Sequence, residues 1–490
     1  MTKLPNQFLT KWINFWVFVF CITVLAIDGH GGEAVIILLL TMVCIFITSL
    51  NGVFFINDDK SKYKLNGNEI IFITLVILFW LSNHFSMIFQ PEGLEYENSR
   101  MALRAMDNPM RWLLMLPIFF LLRRYKLDWR VISIGLSVGV VISVSIAMYE
   151  VYFLGDSRAS GGMNHIITFG ELMVAVDLLL WVLMIYAWNN NNKILATILL
   201  VASLVAFYGS ILSVTRGAWL VYVFLILSFI VYTIKRSLFN KHNLFSKPVL
   251  LRIFLSLILF FVVSQTEQYK TIENRTVNIA SEVSQGNFEH TSDRLEIFST
   301  ALEINRHFPY GVGTDNFRNG GKAVIILDAI NNRDVVVKKK DGGVLDNNDL
   351  KSIRFKTTDS RGKKDIHAFR YLQSFNKVDG SLKLTSRYRH AHNEWLNVLA
   401  ENGVAGFILL TLLFAFPIKI FWQNLSHEND LVGIYSYCGI LLIVSFAIFG
   451  QSQSIFTSHA AVIFFIFFLF LFIAQISRLS NIDDNHDSAS

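Results

Sequence analysis

The sequence predicts an all-α polytopic membrane protein of about twelve transmembrane helices, with one large domain outside the membrane between spans nine and ten. Three observations carry this. Apolar residues make up 53% of the chain and charged residues only 16%, with a mean hydropathy of +0.46, a balance foreign to water-soluble folds. The apolar residues gather into runs near the roughly 20 residues that a helix needs to cross a bilayer. Lys and Arg then concentrate in alternate connections, as orientation in a membrane requires.

Twelve runs qualify in order: 12–27, 34–56, 70–90, 111–122, 131–154, 165–188, 194–213, 217–234, 249–265, 404–422, 431–449 and 459–477. The fourth is short, and Arg104 to Arg111 is a candidate extension of it. The first follows a short basic start without a clear cleavage site, so it reads as a retained helix rather than a removed signal peptide. Cations mark the start (Lys3, Lys11), the second loop (Lys60, Lys62, Lys64), the fourth (Arg123, Arg124, Lys126, Arg130), the sixth (Lys193) and the eighth (Lys235, Arg236, Lys241, Lys247). Loops 28–33, 155–164 and 451–458 are poor in them. Both termini therefore read as cytoplasmic. The net charge of +6 orients helices and does not imply nucleic acid. Cys21, Cys44 and Cys438 lie inside apolar runs, so no disulfide framework is expected.

The chain divides into helices 1–9 (1–265), an outer loop domain (266–403), helices 10–12 (404–478) and a cytoplasmic tail (479–490), expected to be solvated and disordered. The outer stretch is far longer than an ordinary connection, which argues for a folded, functional insertion. Its middle, "VVVKKKDGGVLDNNDLKSIRFKTTDS", mixes β-branched runs with turn signals and predicts short hairpin strands. Its start, "TSDRLEIFSTALEINRHFPYG", predicts a helix capped by Ser292 with Asp293 in the first turn. Leu295, Phe298, Ala301 and Leu302 would share its apolar face, and it stops before Pro309 and Gly311. At the far end Asn393 is the predicted N-cap of a helix from Glu394 to about Glu401. Asn402-Gly403 ends that helix before the next span.

"RYRHAHNEWLNVLAENGVAG" therefore puts His390 and His392 at an outer helix start. The helix dipole and the nearby Arg387 and Arg389 favour a neutral imidazole at His392, suited to act as general base; the competing reading is a histidine that merely caps a loop. "SVTRGAWL" places Arg216 at a tight turn between two spans, where a guanidinium meets an anion or snorkels to the interface. Arg294 sits in the first turn of the loop helix. Guanidinium groups grip phosphate in a fork, so Arg216, Arg294 and a helix N-terminus could hold a pyrophosphate. Weaker candidates remain. Arg100 and Arg104, at i,i+4 spacing, read best as an interfacial helix with a solvated basic face. Glu171 and Asp177 in the sixth span mark an ion path or a structural hydrogen bond. "GVGTDNF" lacks the Gly-Lys-Ser/Thr ending of a P-loop, so nucleotide binding is rejected. "DGHGGE", with Asp28, His30 and Glu33, lacks a paired metal-ligating element, and no metal or cofactor is expected.

"TRGAW", "DRLEIFSTALEINRHFPYGVGTDNF" and "HAHNEWLNVLAENGVAG", in this order and at these positions, resemble the bacterial O-antigen ligase family. Asp315 departs from the glycine often found there, and residues 320–386 match no motif. The resemblance implies about twelve spans with a helical periplasmic domain over a lipid-facing cavity, in a protein of the bacterial inner membrane with the active site facing the periplasm. It implies transfer of a glycan from undecaprenyl diphosphate to lipid A-core, with inversion and without metal. By position it makes His392 the catalytic base and Arg216 and Arg294 the pyrophosphate ligands, with His390 and Asn393 in supporting roles. An O-antigen polymerase or an O-linked oligosaccharyltransferase of the same superfamily would need the same groups. A lipid-linked glycan transporter would explain the spans but not the histidine and arginine of the outer loop.

Charge asymmetry sets one testable outcome. In intact cells with a permeabilised outer membrane, a single cysteine at Lys339 should react with an impermeant thiol reagent and one at Lys62 should not. The reverse pattern would invert the topology.

Overall fold

The computed structural model describes residues 6–26, 31–50, 65–96, 98–224, 227, 247–265, 289–332, 334–353 and 366–487. The chain is mostly helical. Its helices run α1 (Asn6–Ala26), α2 (Gly31–Leu50), α3 (Gly67–Ile88), α4 (Ser99–Ala105), α5 (Asp107–Arg124), α6 (Trp129–Tyr152), α7 (Ile166–Asn189) and α8 (Lys193–Leu212). α9 is helical over the described residues 216–224. There follow α10 (Lys247–Ser264), α11 (Glu289–His307), α12 (Phe317–Asn331), the short α13 (Asn347–Ser352), α14 (Glu394–Asn424), α15 (Asp430–Ser452) and α16 (His459–Asp487).

Nine of the described helices are long and apolar enough to cross a membrane. Three expected spans stand outside that number. The run 34–56 is described only to residue 50, and half of 217–234 falls outside the described residues. The short fourth run is a helix that starts at Asp107, which forms an i,i+4 ion pair with Arg111 at 2.9 Å. Arg104 belongs instead to the separate α4. α16 is the axis of the bundle: its span is wholly buried, and Phe464, Phe465 and Phe467 are closed from solvent among neighbouring helices. Between helices in lipid such close contact supplies the attraction that hydrophobic burial supplies in water. The expectation of a disordered tail fails, because α16 continues to Asp487; its last ten residues contain no Gly or Pro to stop it.

Charges inside the bundle are paired. Arg252 of α10 donates twice to Asp177 of α7 at 2.8 Å, and Ser203 of α8 and Tyr222 of α9 donate to the same carboxylate at 2.6 and 2.8 Å. Asp177 thus joins four helices, which favours the structural reading over the ion path. Glu171 is also fully buried, and its carboxyl oxygens meet no hydrogen-bond partner among the described residues.

The loop domain has its own apolar core, including Ile297, Ala301, Ile304, Phe317, Val337 and Leu384. The strands β1 (Val335–Lys339), β2 (Val344–Leu345), β3 (Leu372–Asn376) and β4 (Leu382–Thr385) form an antiparallel sheet in the order β2-β1-β3-β4. The first hairpin is the one that the Asp-Gly-Gly turn signal predicted. The sheet makes "all-α" too strict a label. Two details of α11 also differ from expectation. It begins at Glu289, so Ser292 is not its N-cap and Arg294 lies in its second turn. Its inward face is Ile297, Thr300, Ala301 and Ile304, while Leu295 and Leu302 are exposed. The i, i+3, i+4, i+7 spacing was present, one position out of phase with the reading.

The domain is fastened to the membrane helices through a break in α14. Gly403 has φ 69° and ψ −170°, a region open essentially to glycine. At this break the helical hydrogen bonds are exchanged rather than lost. Val404 N–H donates to Pro309 O at 3.1 Å, while Ala400 O accepts from Val312 N–H at 3.2 Å and Glu401 O from Gly313 N–H at 2.9 Å. The backbones are so close that a β-carbon at Gly403 would collide with the Pro309 carbonyl oxygen, and one at Gly311 with that of Glu401.

Gly403→Ala should therefore lower the thermal unfolding midpoint of the detergent-solubilised protein well below that of Gly342→Ala. Both positions have positive φ, but the space around Gly342 is open. The backbone strain alone is about 1–3 kcal/mol; only Gly403→Ala must also displace the Pro309 turn. Equal midpoints would remove the clamp from the account.

Candidate functional site

The clamp sets the start of α14 beside the segment that joins α15 and α16. His392 has φ 50°, uncommon for a residue with a side chain, and it reverses the chain so that Asn393 can cap the helix. Asn393 accepts from Leu396 N–H at 3.1 Å, as the sequence predicts. Behind it a polar chain runs back to the loop domain. Ala391 N–H donates to Asn397 at 3.0 Å, Asn397 donates to Glu401 at 3.1 Å, and Glu401 accepts from Phe317 N–H at 3.3 Å.

The segment between α15 and α16 meets three consecutive residues of this turn. His392 Nδ1 lies 3.0 Å from Gln453 Oε1, Asn393 donates to Gln451 O at 3.3 Å, and Glu394 accepts from Phe456 N–H at 3.0 Å. Gln453 presents its amide oxygen to Nδ1, a contact that becomes a hydrogen bond in the tautomer with the proton on Nδ1. The His390 and His392 rings are 4.6 Å apart, edge to face, and Tyr388 closes on His392 at 5.2 Å.

Arg216 begins the helical stretch 216–224, after a turn in which Val214 adopts φ 55°. Arg158 donates to Ser213 O at 2.9 Å and braces that turn. A β-carbon on Gly217 would lie 2.7 Å from Ser452 Oγ, so this turn packs one residue away from Gln453. His390, His392, Asn393 and the Arg216 turn thus converge on residues 451–453. Arg294 stands exposed on α11, outside this set of contacts. Arg100 is exposed on α4, as expected of a solvated face.

A cavity of about 290 Å³ opens between membrane helices and loop domain. Phe79, Trp112 and Val462 line its apolar side, and Arg104, Asp315, Arg389, His390 and His459 its polar side. A smaller one of about 240 Å³ runs from His390 to His165 and Gln453. His390 lines both. Burial above all, and then His392 and Arg389, push its pKa down to about 4. His165 is likewise held below the ordinary histidine range, by burial first and then by Arg158 and His392.

Sequence reading missed Gln453, His165, His459 and Arg158. Two of them carried the signal used for His392: His165 immediately precedes α7 and His459 opens α16, each at a helix start. The glycines of "GVGTDNF" form part of the clamp on α14. Among the described residues no three His, Cys, Asp or Glu side chains are grouped to hold a metal ion.

Residues 201–335 match the family model described as O-Antigen ligase. The matched segment carries Arg216 and Arg294 and ends before His390. It supports the O-antigen ligase/polymerase superfamily, whose members are glycosyltransferase-like enzymes, and agrees with the resemblance read from the motifs. A Haemophilus influenzae protein described only as uncharacterized is 23% identical over 462 residues, covering 94% of this chain and 98% of its own length.

The low pKa of His390 has a consequence for stability. The unfolded chain takes up a proton on this ring near pH 6.5, whereas the folded chain does so only near pH 4. Stability therefore falls as the pH drops through that window, by about 2 kcal/mol at pH 5 from this group. His390→Asn should narrow the gap between unfolding midpoints at pH 7.5 and pH 5.0; an unchanged gap would mean that His390 is not held neutral.

Proposed function

We propose that the chain is an O-antigen ligase: an inverting, metal-independent glycosyltransferase that moves an O-antigen glycan from undecaprenyl diphosphate to lipid A-core in lipopolysaccharide biosynthesis. About twelve spans lie in the bacterial inner membrane, and 266–403 forms the periplasmic domain. In this reading both substrates are lipid-anchored, and their reacting groups meet at the outer membrane surface beside His392. The observation that carries it is the His392–Gln453 contact, which in the tautomer with the proton on Nδ1 leaves Nε2 as the basic position, next to a turn that begins a helix with Arg216.

The chemistry follows from those groups. A hydroxyl of the acceptor sugar attacks the anomeric carbon from the face opposite the diphosphate. Its proton passes to His392 Nε2, and the bond from the anomeric carbon to the diphosphate oxygen breaks. The leaving group departs as an anion and needs cations rather than a strong acid. Arg216 and Arg294 supply them, so no metal is required. Asn393 holds the helix start that carries His392. His390, neutral and wedged against it, fixes the ring and supports substrate binding.

His392→Ala should lower transfer about 10²–10⁴-fold while leaving donor binding nearly intact. Arg216→Ala and Arg294→Ala should weaken donor binding as well, and the corresponding Lys variants should recover only part, because a point charge replaces the fork. His390→Ala should be milder. Transfer retained by His392→Ala in a folded, inserted protein would refute the base assignment. In a deletion strain, loss of all capped lipopolysaccharide supports the ligase, whereas a single added repeat assigns the polymerase instead.

A further inference from the structure

A third cavity, of about 440 Å³, adjoins the first and shares Arg104, Asp315 and Arg389 with it. Its charge is one-sided. Arg104, Arg318, Lys322, Arg370 and Arg389 line it, and Asp315 is the one carboxylate among its described lining residues. Asp315 is itself engaged with Arg389 at 3.3 Å. Lys322 is buried and donates to Asn319 at 3.0 Å. Arg318 Nη2 donates to Arg387 O at 3.1 Å, while its Nε is shut from solvent with no acceptor among the described residues. Burial first, and then Arg389 and Arg370, hold Arg318 below the ordinary arginine range. Gathering like charges around a partly closed space is unfavourable in the absence of an anion.

We propose that this cavity is a subsite for an anionic substituent, a phosphate or a carboxylate, on the acceptor glycan. The position of the cavity distinguishes it from a donor diphosphate site. Among the described residues no membrane-spanning helix lines it; its described walls come from residues 315–322 and 367–370, Arg389 and the connection 96–104. The first cavity, by contrast, takes Phe79, Trp112 and Val462 from spans and lies where a lipid-linked group would emerge. The volume falls within the range of small-molecule sites, and Phe369 and Tyr96 add aromatic surface beside the cations. Arginine forks suit phosphate and carboxylate alike. The subsite rests on the transfer reading above and adds to it what the acceptor must carry.

The test uses the full-length protein in nanodiscs with lipid A-core as probe, in three forms: intact, phosphatase-treated, and amidated at its carboxylates. Binding and transfer are measured separately. The parent should bind the intact acceptor about tenfold more tightly than one of the stripped forms, and which form loses affinity identifies the anion. Arg318→Gln and Arg370→Gln should each raise acceptor KM several-fold, with kcat and donor KM within about twofold of the parent, and should abolish discrimination between the forms. Arg370 is exposed, so its variant answers even if Arg318→Gln fails to fold. Equal binding of all three forms by the parent overturns the subsite, as does a rise in donor KM in place of acceptor KM. Discriminating binding without any transfer would sink the ligase reading and leave the subsite standing.

Discussion

The site depends on an exchange of backbone hydrogen bonds at Gly403. A continuous helix would pair Val404 N–H with Ala400 O. Here both groups turn outward to the Pro309–Gly313 segment, and Glu401 O joins them. The exchange keeps buried polar groups satisfied while one helix becomes two. It also fixes the height of the loop domain, because the turn it grips leads directly from α11 into α12. Only glycine fits at the two closest approaches, so a local backbone choice decides where the domain sits relative to the spans.

From that anchor the remaining geometry follows inward. The short helix after Asn393 is held at one end by the clamp and at the other by residues 451–456, which lead from α15 into α16. His392 is pinned between them in an uncommon backbone conformation, which rigid surroundings must maintain. His390 is pressed against it and kept neutral by burial and by neighbouring cations. Two adjacent histidines thereby acquire different surroundings: one held by an amide partner, the other lining both cavities.

Charge is distributed by the same logic. Within the bundle, Asp177 and Arg252 cancel, as the low dielectric requires. At the outer surface the balance is left positive, around Arg104, Arg318, Arg370 and Arg389, where water and anionic ligands have access. The inner network joins helices, and the excess of cations gathers around one cavity of the loop domain.

Much of this was legible in the sequence, for physical reasons. Span length and hydropathy are set by the bilayer, so most helices fall within a few residues of expectation. Asn393 as cap and Gly403 as stop are local chemistry, readable from neighbours in the chain. The inward face of α11 was misread because a partly apolar helix contains two overlapping stripes, and only its neighbours choose between them. The pairing of β3 with β1 joins residues far apart in sequence, and the second hairpin carried little turn signal. Gln453, His165 and His459 were invisible as a set, because two connections distant in the chain bring them together. The sequence by itself determined the membrane class, the cap and the candidate histidine, all governed by local composition and spacing. Only the tertiary structure decided which histidine faces which cavity, what "GVGTDNF" holds, and where the excess cations meet. Each of those depends on long-range contacts that no stretch of sequence contains.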